Sequence, residues 1–348
     1  MTRSTVLGLL LMVGAGACSA ADKPRHLEQA HALERSGDTE GAHQAYQRAQ
    51  RDCANETNQR KRFLDCKEAY LGQAELYENQ GNKEQAAQAY ERIPALLPAH
   101  EPASAEATYR AGRLYLELGH AERGYTLLWR CVTNYPAEAF AGDAVKVLLR
   151  DGRKRAPDAL ATELRRLANV LAGHPAADNL LWALADLEEH ELEAPHRALA
   201  ALLMLIERSP KGGFIDDARW HAARLLRAQG KSERAVTQLE ALLATREVAF
   251  GTGSYFSVWL DDAALERGRI LRDDLQRPKK ALAAFEQLAR DYPASILIDD
   301  AMFESAVTLG QLGRKERACA LLRKMAKQHP DSKYQIEKAP LLAGKLSC

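Results

Sequence analysis

Pro98, Pro136, Pro175, Pro210, Pro293 and Pro330 recur along the chain at gaps of 38, 39, 35, 83 and 37 residues, the wide gap being about two periods. A period between about 20 and 50 residues signals a stack of like supersecondary units, each of which buries its apolar face only against its neighbours. The chain is rich in Ala, Leu, Glu, Arg and Gln and only 6% aromatic, a helical composition. These features predict an all-α solenoid, an architecture that presents a long surface to a partner rather than a deep chemical pocket.

Within one period the pattern resolves into two helices and a turn. Tyr70, Ala74 and Tyr77 fall on one helical stripe, Gly81 breaks it, Ala86, Tyr90 and Ile93 form a second stripe, and Pro98 stops that helix. The third unit repeats the plan with Thr108, Gly112, Tyr115, Gly119, Gly124, Leu128, Cys131 and Pro136, and the eighth with Met302, Ala306, Leu309, Gly313, Ala318, Leu322, Met325 and Pro330. This order of small, aromatic, glycine, alanine, aromatic and proline positions resembles the tetratricopeptide repeat. The resemblance implies a right-handed superhelical solenoid of about eight helix-turn-helix units across residues 25–330, with residues 331–348 as a C-terminal cap or tail. The unit boundaries are 25–53, 64–98, 102–136, 139–175, 176–210, 214–246, 259–293 and 296–330. The fifth and seventh align without a gap at an offset of 83: Pro195 matches Pro278, Ala198 matches Ala281 and Pro210 matches Pro293. The fourth is the least regular, with a short first helix expected and Gly152 in place of a clean turn, and the sixth lacks its terminal proline.

Residues 1–17 read as a signal peptide rather than part of the fold. Arg3 is the positive start, and Val6 to Ala17 would span roughly 18 Å as a helix, short of the roughly 30 Å bilayer core. Ala15-Gly16-Ala17-Cys18 resembles the bacterial lipoprotein box, although its first position is usually Leu. That resemblance implies acylation of Cys18, residues 18–24 as a short tether, and, with Ser19 following, the periplasmic face of the outer membrane. Cleavage after Ala17, Ala20 or Ala21 of a soluble periplasmic or secreted protein is the alternative. An oxidising compartment suits the cysteines: Cys53 and Cys66 bracket the non-periodic stretch Ala54 to Phe63, and Cys319 and Cys348 are placed to pin the tail to the last helix. Cys319 as a small core residue is the plainer reading of that position. Cys131 lies on an apolar stripe as an inert thiol.

Lys plus Arg (48) balance Asp plus Glu (47), without the basic footprint of a nucleic-acid binder. Ile215-Asp216-Asp217-Ala218, Leu260-Asp261-Asp262-Ala263 and Ile298-Asp299-Asp300-Ala301 each open a unit. Their carboxylates are expected to cap free backbone N–H groups and complement the positive helix end rather than hold a metal. Together with Tyr135-Pro136, Tyr292-Pro293 and His329-Pro330 at unit ends, this pattern resembles bacterial envelope repeat proteins. Those include the lipoprotein of the outer-membrane barrel-assembly machine and the Tol–Pal coordinator.

In the resembled superhelix the first helix of each unit lines the concave face. Its positions outside the packing stripe are Tyr109, Arg113, Trp182, Asp186, Trp220, Arg224, Arg227, Arg269, Arg272 and Phe303. Aromatic residues beside arginines suit capture of a peptide or helix bearing carboxylates, since the guanidinium fork holds a carboxylate bidentately. Pairing of the same arginines with acids of neighbouring units is the alternative. Phe250, Tyr255, Phe256 and Trp259 concentrate aromatic mass in an insertion, either as a plug between units or as a partner contact. Gly251-Thr252-Gly253-Ser254 lacks the lysine and flanking strand of a phosphate loop. His190 and His196 do not have zinc spacing, and the remaining histidines are expected at the surface. No enzyme, cofactor, metal or small-molecule substrate is expected. The leading expectation is a non-enzymatic envelope adaptor that binds proteins or peptides, with a membrane contact through its lipid. A structural spacer, or an ancillary recognition module of an envelope enzyme, is the alternative.

Overall fold

The computed structural model of the chain describes residues 25–55, 59–97, 102–245 and 257–348. The leader, the tether with Cys18, Pro98, and Phe250, Tyr255 and Phe256 lie outside the described residues. Among the described residues the helices run as eight consecutive pairs with no strand: α1 (Arg25–Ser36) with α2 (Thr39–Asn55), α3 (Gln59–Asn79) with α4 (Lys83–Leu96), α5 (Pro102–Glu117) with α6 (Ala121–Asn134), and α7 (Ala139–Gly152) with α8 (Pro157–Val170). Then come α9 (Ala176–His190) with α10 (Pro195–Arg208), α11 (Ile215–Ala228) with α12 (Ser232–Leu243), α13 (Leu260–Arg269) with α14 (Pro278–Asp291), and α15 (Ile298–Gln311) with α16 (Lys315–Gln328). α13 continues into a π-helical turn, Ile270–Asp274, and a second such turn, Tyr334–Lys338, leads into a final helix, α17 (Ala339–Leu346). None of these helices is long and apolar enough to cross a membrane. The chain divides into two compact bodies, the first ending at Leu127 and the second Leu128–Cys348, with the division inside α6.

In the first body, small residues such as Ala42, Ala74 and Ala86 are fully buried and let helices approach, while Tyr46, Tyr90 and Tyr115 fill the space beside them. A buried phenol needs an acceptor. Tyr46 donates to Glu34, Tyr90 to Glu78 and Tyr115 to Glu91, each at 2.9 Å. Burial, with the neighbouring carboxylate, pushes the Tyr115 hydroxyl up to about 12. The stretch expected to be non-periodic between Cys53 and Cys66 is largely helical: α2 runs to Asn55 and α3 begins at Gln59. Pro94, within α4, does not break it.

Pro136, Pro210, Pro293 and Pro330 each follow a second helix closely, as the period predicts, whereas Pro175 sits at the N-cap of α9. The turns inside the first, second, third, sixth and eighth pairs use Gly37, Gly81, Gly119, Gly230 and Gly313, all at positive φ. The fifth and seventh use Glu193 (φ 46°) and Gln276 (φ 54°) instead. Each is followed by a residue whose N–H reaches back at 2.7 Å, Ala194 to the Glu188 carbonyl and Arg277 to that of Leu271. Pro195 and Pro278 then open the next helices, where a missing N–H costs nothing.

The fourth pair departs from expectation differently. Its first helix is full length at 14 residues, and the irregularity lies in its packing. α7 rests mainly on α9 rather than on its own partner α8. Gly142 permits this, because a Cβ there would stand 2.7 Å from the Asn179 side chain.

Candidate protein-recognition surface

The Asp-Asp pairs sit in the first turns of α11, α13 and α15, where they complement the positive helix end. Asp261 caps within its own helix as expected, accepting the Asp262 N–H at 3.1 Å. The N-cap positions are Phe214, Trp259 and Leu297, without side-chain capping bonds, and the first carboxylate of each pair meets a hydroxyl at or just past the end of its own unit. Ser295 donates to Asp261 and Ser332 to Asp299, both at 2.6 Å, while each serine oxygen accepts the N–H two residues on, from Leu297 and Tyr334. Thr245 takes that role towards Asp216 at 3.3 Å. The second carboxylate of the first pair, Asp217, accepts the Trp259 indole N–H at 2.8 Å. The sequence placed Trp259 in an insertion; it is instead the large residue that precedes each apolar-Asp-Asp-Ala run, as Phe214 and Leu297 do.

This latch lines up an aromatic row on the second body. Phe214 stacks on Trp182 (centroids 5.4 Å, planes 7° apart), and Trp220 stacks on Trp259 (5.2 Å, 13°). His221 stands between them, edge-on to Trp182 at 5.3 Å and to Trp259 at 5.9 Å. All five are half-buried. Burial, and then the Arg224 charge, hold the His221 imidazole below its usual range. His221 was expected at the surface, and Phe214 was not singled out at all. The signal for Phe214 was present in its slot before Ile215-Asp216-Asp217; His221 carried none beyond its place one turn from Trp220.

Beside Trp182 the α7–α9 packing leaves a cavity of about 370 Å³, walled by Val145, Leu149, Ala183, Trp182 and Phe214. Lys146, Arg150, Arg153 and Lys154 ring it. Their spacing puts all four on one face of α7 and its extension. Lys146 pairs only with Asp143, three residues back and in solvent, and Arg153 pairs with Asp186 and with Glu191. Arg150 and Lys154 are exposed and have no ion-pair partner among the described residues, and the buried Arg153 Nε has no acceptor. A larger cavity of about 530 Å³ lies between α14, α15 and α16, away from the aromatic row; one of its two cations, Arg317, pairs with Glu286.

The arginine row expected to be available is mostly consumed internally. In the first body Arg113 pairs with Glu78 and with Glu117, and Tyr109 beside it is half-buried. In the second body Arg227 holds Glu266 at 2.6 Å and Asp274 at 3.0 Å, Arg269 holds Glu304 at 2.8 Å and Asp300 at 3.3 Å, and Arg272 holds Asp273 and Glu304. Apart from Glu117 and Asp273, which are local, these acids lie about one period away in sequence, so elimination along a single helix does not reveal them. Arg224 is exposed and unpaired among the described residues, and Phe303 packs on Tyr334 at 5.0 Å.

Cys319 and Cys348 form a disulfide that fastens the end of α17 to α16. Cys53 and Cys66, on α2 and α3, are both buried in the core of the first body. Cys131 is fully buried, and burial pushes its thiol up to about 12. Among the described residues no group of three His, Cys, Asp or Glu is placed to hold a metal ion.

Tetratricopeptide-repeat models match residues 27–101 and 221–296, and a second such model matches 300–332. Together they cover more than half the chain, which belongs to the tetratricopeptide-repeat family, a class of protein-interaction scaffolds that bind peptides or proteins. No curated protein matches the sequence. Among solved structures, a tetratricopeptide repeat protein from Parabacteroides merdae is 13% identical, with 93% of this chain and 98% of that one covered and a TM-score of 0.32. The C-terminal part of a repeat protein from Cytophaga hutchinsonii is 12% identical, covering 89% and 98%, at 0.41. PilF of Pseudomonas aeruginosa is 13% identical, covering 82% and 96%, at 0.31. At these levels the likeness is one of fold.

Proposed function

We propose that this chain is a non-enzymatic adaptor of the bacterial envelope, held at the periplasmic face of the outer membrane through an acylated Cys18, and that it recruits other envelope proteins into an assembly. The observation that carries recognition is the row Phe214–Trp182–His221–Trp259–Trp220, half-buried beside Arg150, Lys154 and Arg224, which have no ion-pair partner among the described residues. Such amphipathic aromatics supply contact area at low entropic cost and dominate interfaces. The envelope part of the reading rests on Arg3, the apolar run to Ala17, and Cys18. Affinity capture of the full chain from solubilised membranes, beside a Cys18→Ala control, tests it. The parent should sediment with membranes and retain discrete partners, and the control should move to the soluble fraction. A parent that stays soluble removes the anchor, and one that retains nothing removes the adaptor.

A second reading, a structural spacer, is favoured by the ion pairs of Arg113, Arg227, Arg269 and Arg272, which spend four of the five candidate arginines on holding the repeats together. Under that reading Trp182→Ala and Trp220→Ala leave partner capture unchanged.

A further inference from the structure

The fourth repeat is where the packing plan gives way, and the space it opens has a definite chemistry. Because α7 leans on α9 at Gly142, a cavity of about 370 Å³ opens one to two turns further on, between Leu149 of α7 and Trp182 of α9. That volume is at the lower end of ordinary ligand pockets and suits one aromatic or large aliphatic side chain. Its walls are apolar, and Phe214, stacked on Trp182, closes one side.

The rim differs in kind from the other candidate cations. Arg113, Arg227, Arg269 and Arg272 each meet a carboxylate of their own body. Arg150 and Lys154 meet none among the described residues and Lys146 has only a solvent-exposed neighbour, whereas Arg153 is held by Asp186 and Glu191 and keeps only its Nε without an acceptor. A groove that keeps cations unpaired beside an apolar hole is complementary to negative charge flanking an apolar side chain.

We infer that the α7–α9 cavity docks an acidic segment of a partner protein, with one aromatic side chain seated against Trp182 and Phe214 and flanking Asp or Glu side chains on Arg150 and Lys154. This rests on the adaptor reading and specifies its partner. The aromatic anchor supplies most of the affinity, and the charges set orientation and association rate.

The test uses the full chain carrying Cys18→Ala and a synthetic peptide, acetylated and amidated, in which glutamates flank a single phenylalanine. Titration calorimetry is expected to show binding that weakens by about tenfold or more when the phenylalanine becomes alanine, and likewise in Arg150→Glu/Lys154→Glu. Both substituted side chains are exposed, so circular dichroism should be unchanged. Affinity should fall with added salt, and a peptide with lysines in place of the glutamates should not bind. Trp182→Ala should weaken the same peptide while leaving the charge-reversed variant no weaker than before. The inference is overturned if the acidic peptide does not bind, if Arg150→Glu/Lys154→Glu binds it equally, or if a neutral phenylalanine peptide with a free C-terminal carboxylate binds better. Should the charge-reversed variant, built with Cys18 intact, still retain every envelope partner of the parent, this site falls and the adaptor reading stands. Should the parent retain none, the adaptor reading falls.

Discussion

Arg272, on the π-helical turn after α13, and Glu304, on α15, form an ion pair that is buried at both ends, with side chains only 9% and 10% exposed. Arg269 reaches the same carboxylate from the turn before. Two cations around one nearly dry carboxylate hold the last repeats in register, and removing one leaves the acid under-compensated. Arg272→Met is expected to destabilise by about 3 kcal/mol, in the range for breaking a buried pair. Adding Glu304→Gln should recover part of the loss. Urea midpoints of the single and double variants check this, and equal midpoints for Arg272→Met and parent would contradict it.

Gly268 faces the ring of Phe285, which is fully buried, and a Cβ at that position would stand 2.3 Å from a ring carbon. The ring would have to shift to admit a methyl group, so Gly268→Ala should cost about 1–3 kcal/mol through overpacking. Gly213→Ala, which meets open space, should stay within about 0.5 kcal/mol of the parent. Thermal melts of the two side by side give the comparison.

His221 couples the aromatic row to pH. Its folded-state pKa lies below the ordinary 6.5 because of burial first and Arg224 second, against the opposing pull of Glu189 and Asp217 and with His190 also nearby. A depressed pKa means that the unfolded chain binds the proton more readily. The associated stability is present above about pH 6.5 and is lost as pH falls through that value towards the folded-state pKa. Denaturation midpoints measured from about pH 7.5 down to about pH 5 should fall, and His221→Gln should flatten that part of the profile. An unchanged profile in the variant would assign the fall to other groups.

The Cys319–Cys348 bridge closes a loop of sequence separation 29. In the chain-entropy model such a loop is worth about 3–4 kcal/mol. Cys319→Ala should therefore loosen α17 before the rest of the second body. Hydrogen exchange should show early loss of protection over α17 and the turn at Tyr334, with α9 to α12 unaffected. Peptide mapping without reduction should recover Cys319 and Cys348 in one linked fragment.

The scaffold was legible in the sequence because a repeat writes the same physical instruction many times. Tyr90, Gly81 and Ala86 recur in kind from unit to unit, so each confirms the others. Local exceptions were harder to see. Glu193 and Gln276 adopt the left-handed backbone of a turn glycine without being glycine, which no propensity would assign to them. The arginines were picked out by type and helix face, but their fate depends on acids about one period away, such as Glu78 for Arg113 and Glu304 for Arg272. The aromatic row is legible in part, through Trp182, Trp220 and Trp259. Phe214 is marked only by its slot before Ile215-Asp216-Asp217, and the role of His221 exists only when three successive first helices are brought side by side.

The correspondence between the fifth and seventh repeats reaches beyond them. At the same offset of 83, Ile215-Asp216-Asp217-Ala218 falls on Ile298-Asp299-Asp300-Ala301, Gly230 on Gly313 and Ala235 on Ala318, while Glu193 and Gln276 share their unusual turn. Two consecutive repeats thus read as one cassette copied whole, turn geometry included. The two cassettes differ at three matched positions: where one has Trp182, Phe214 and His221, the other has Leu265, Leu297 and Glu304. One copy turned those positions towards cohesion, around the acid that Arg269 and Arg272 enclose. In the other cassette the same three positions carry the stacked and edge-on rings of the aromatic row.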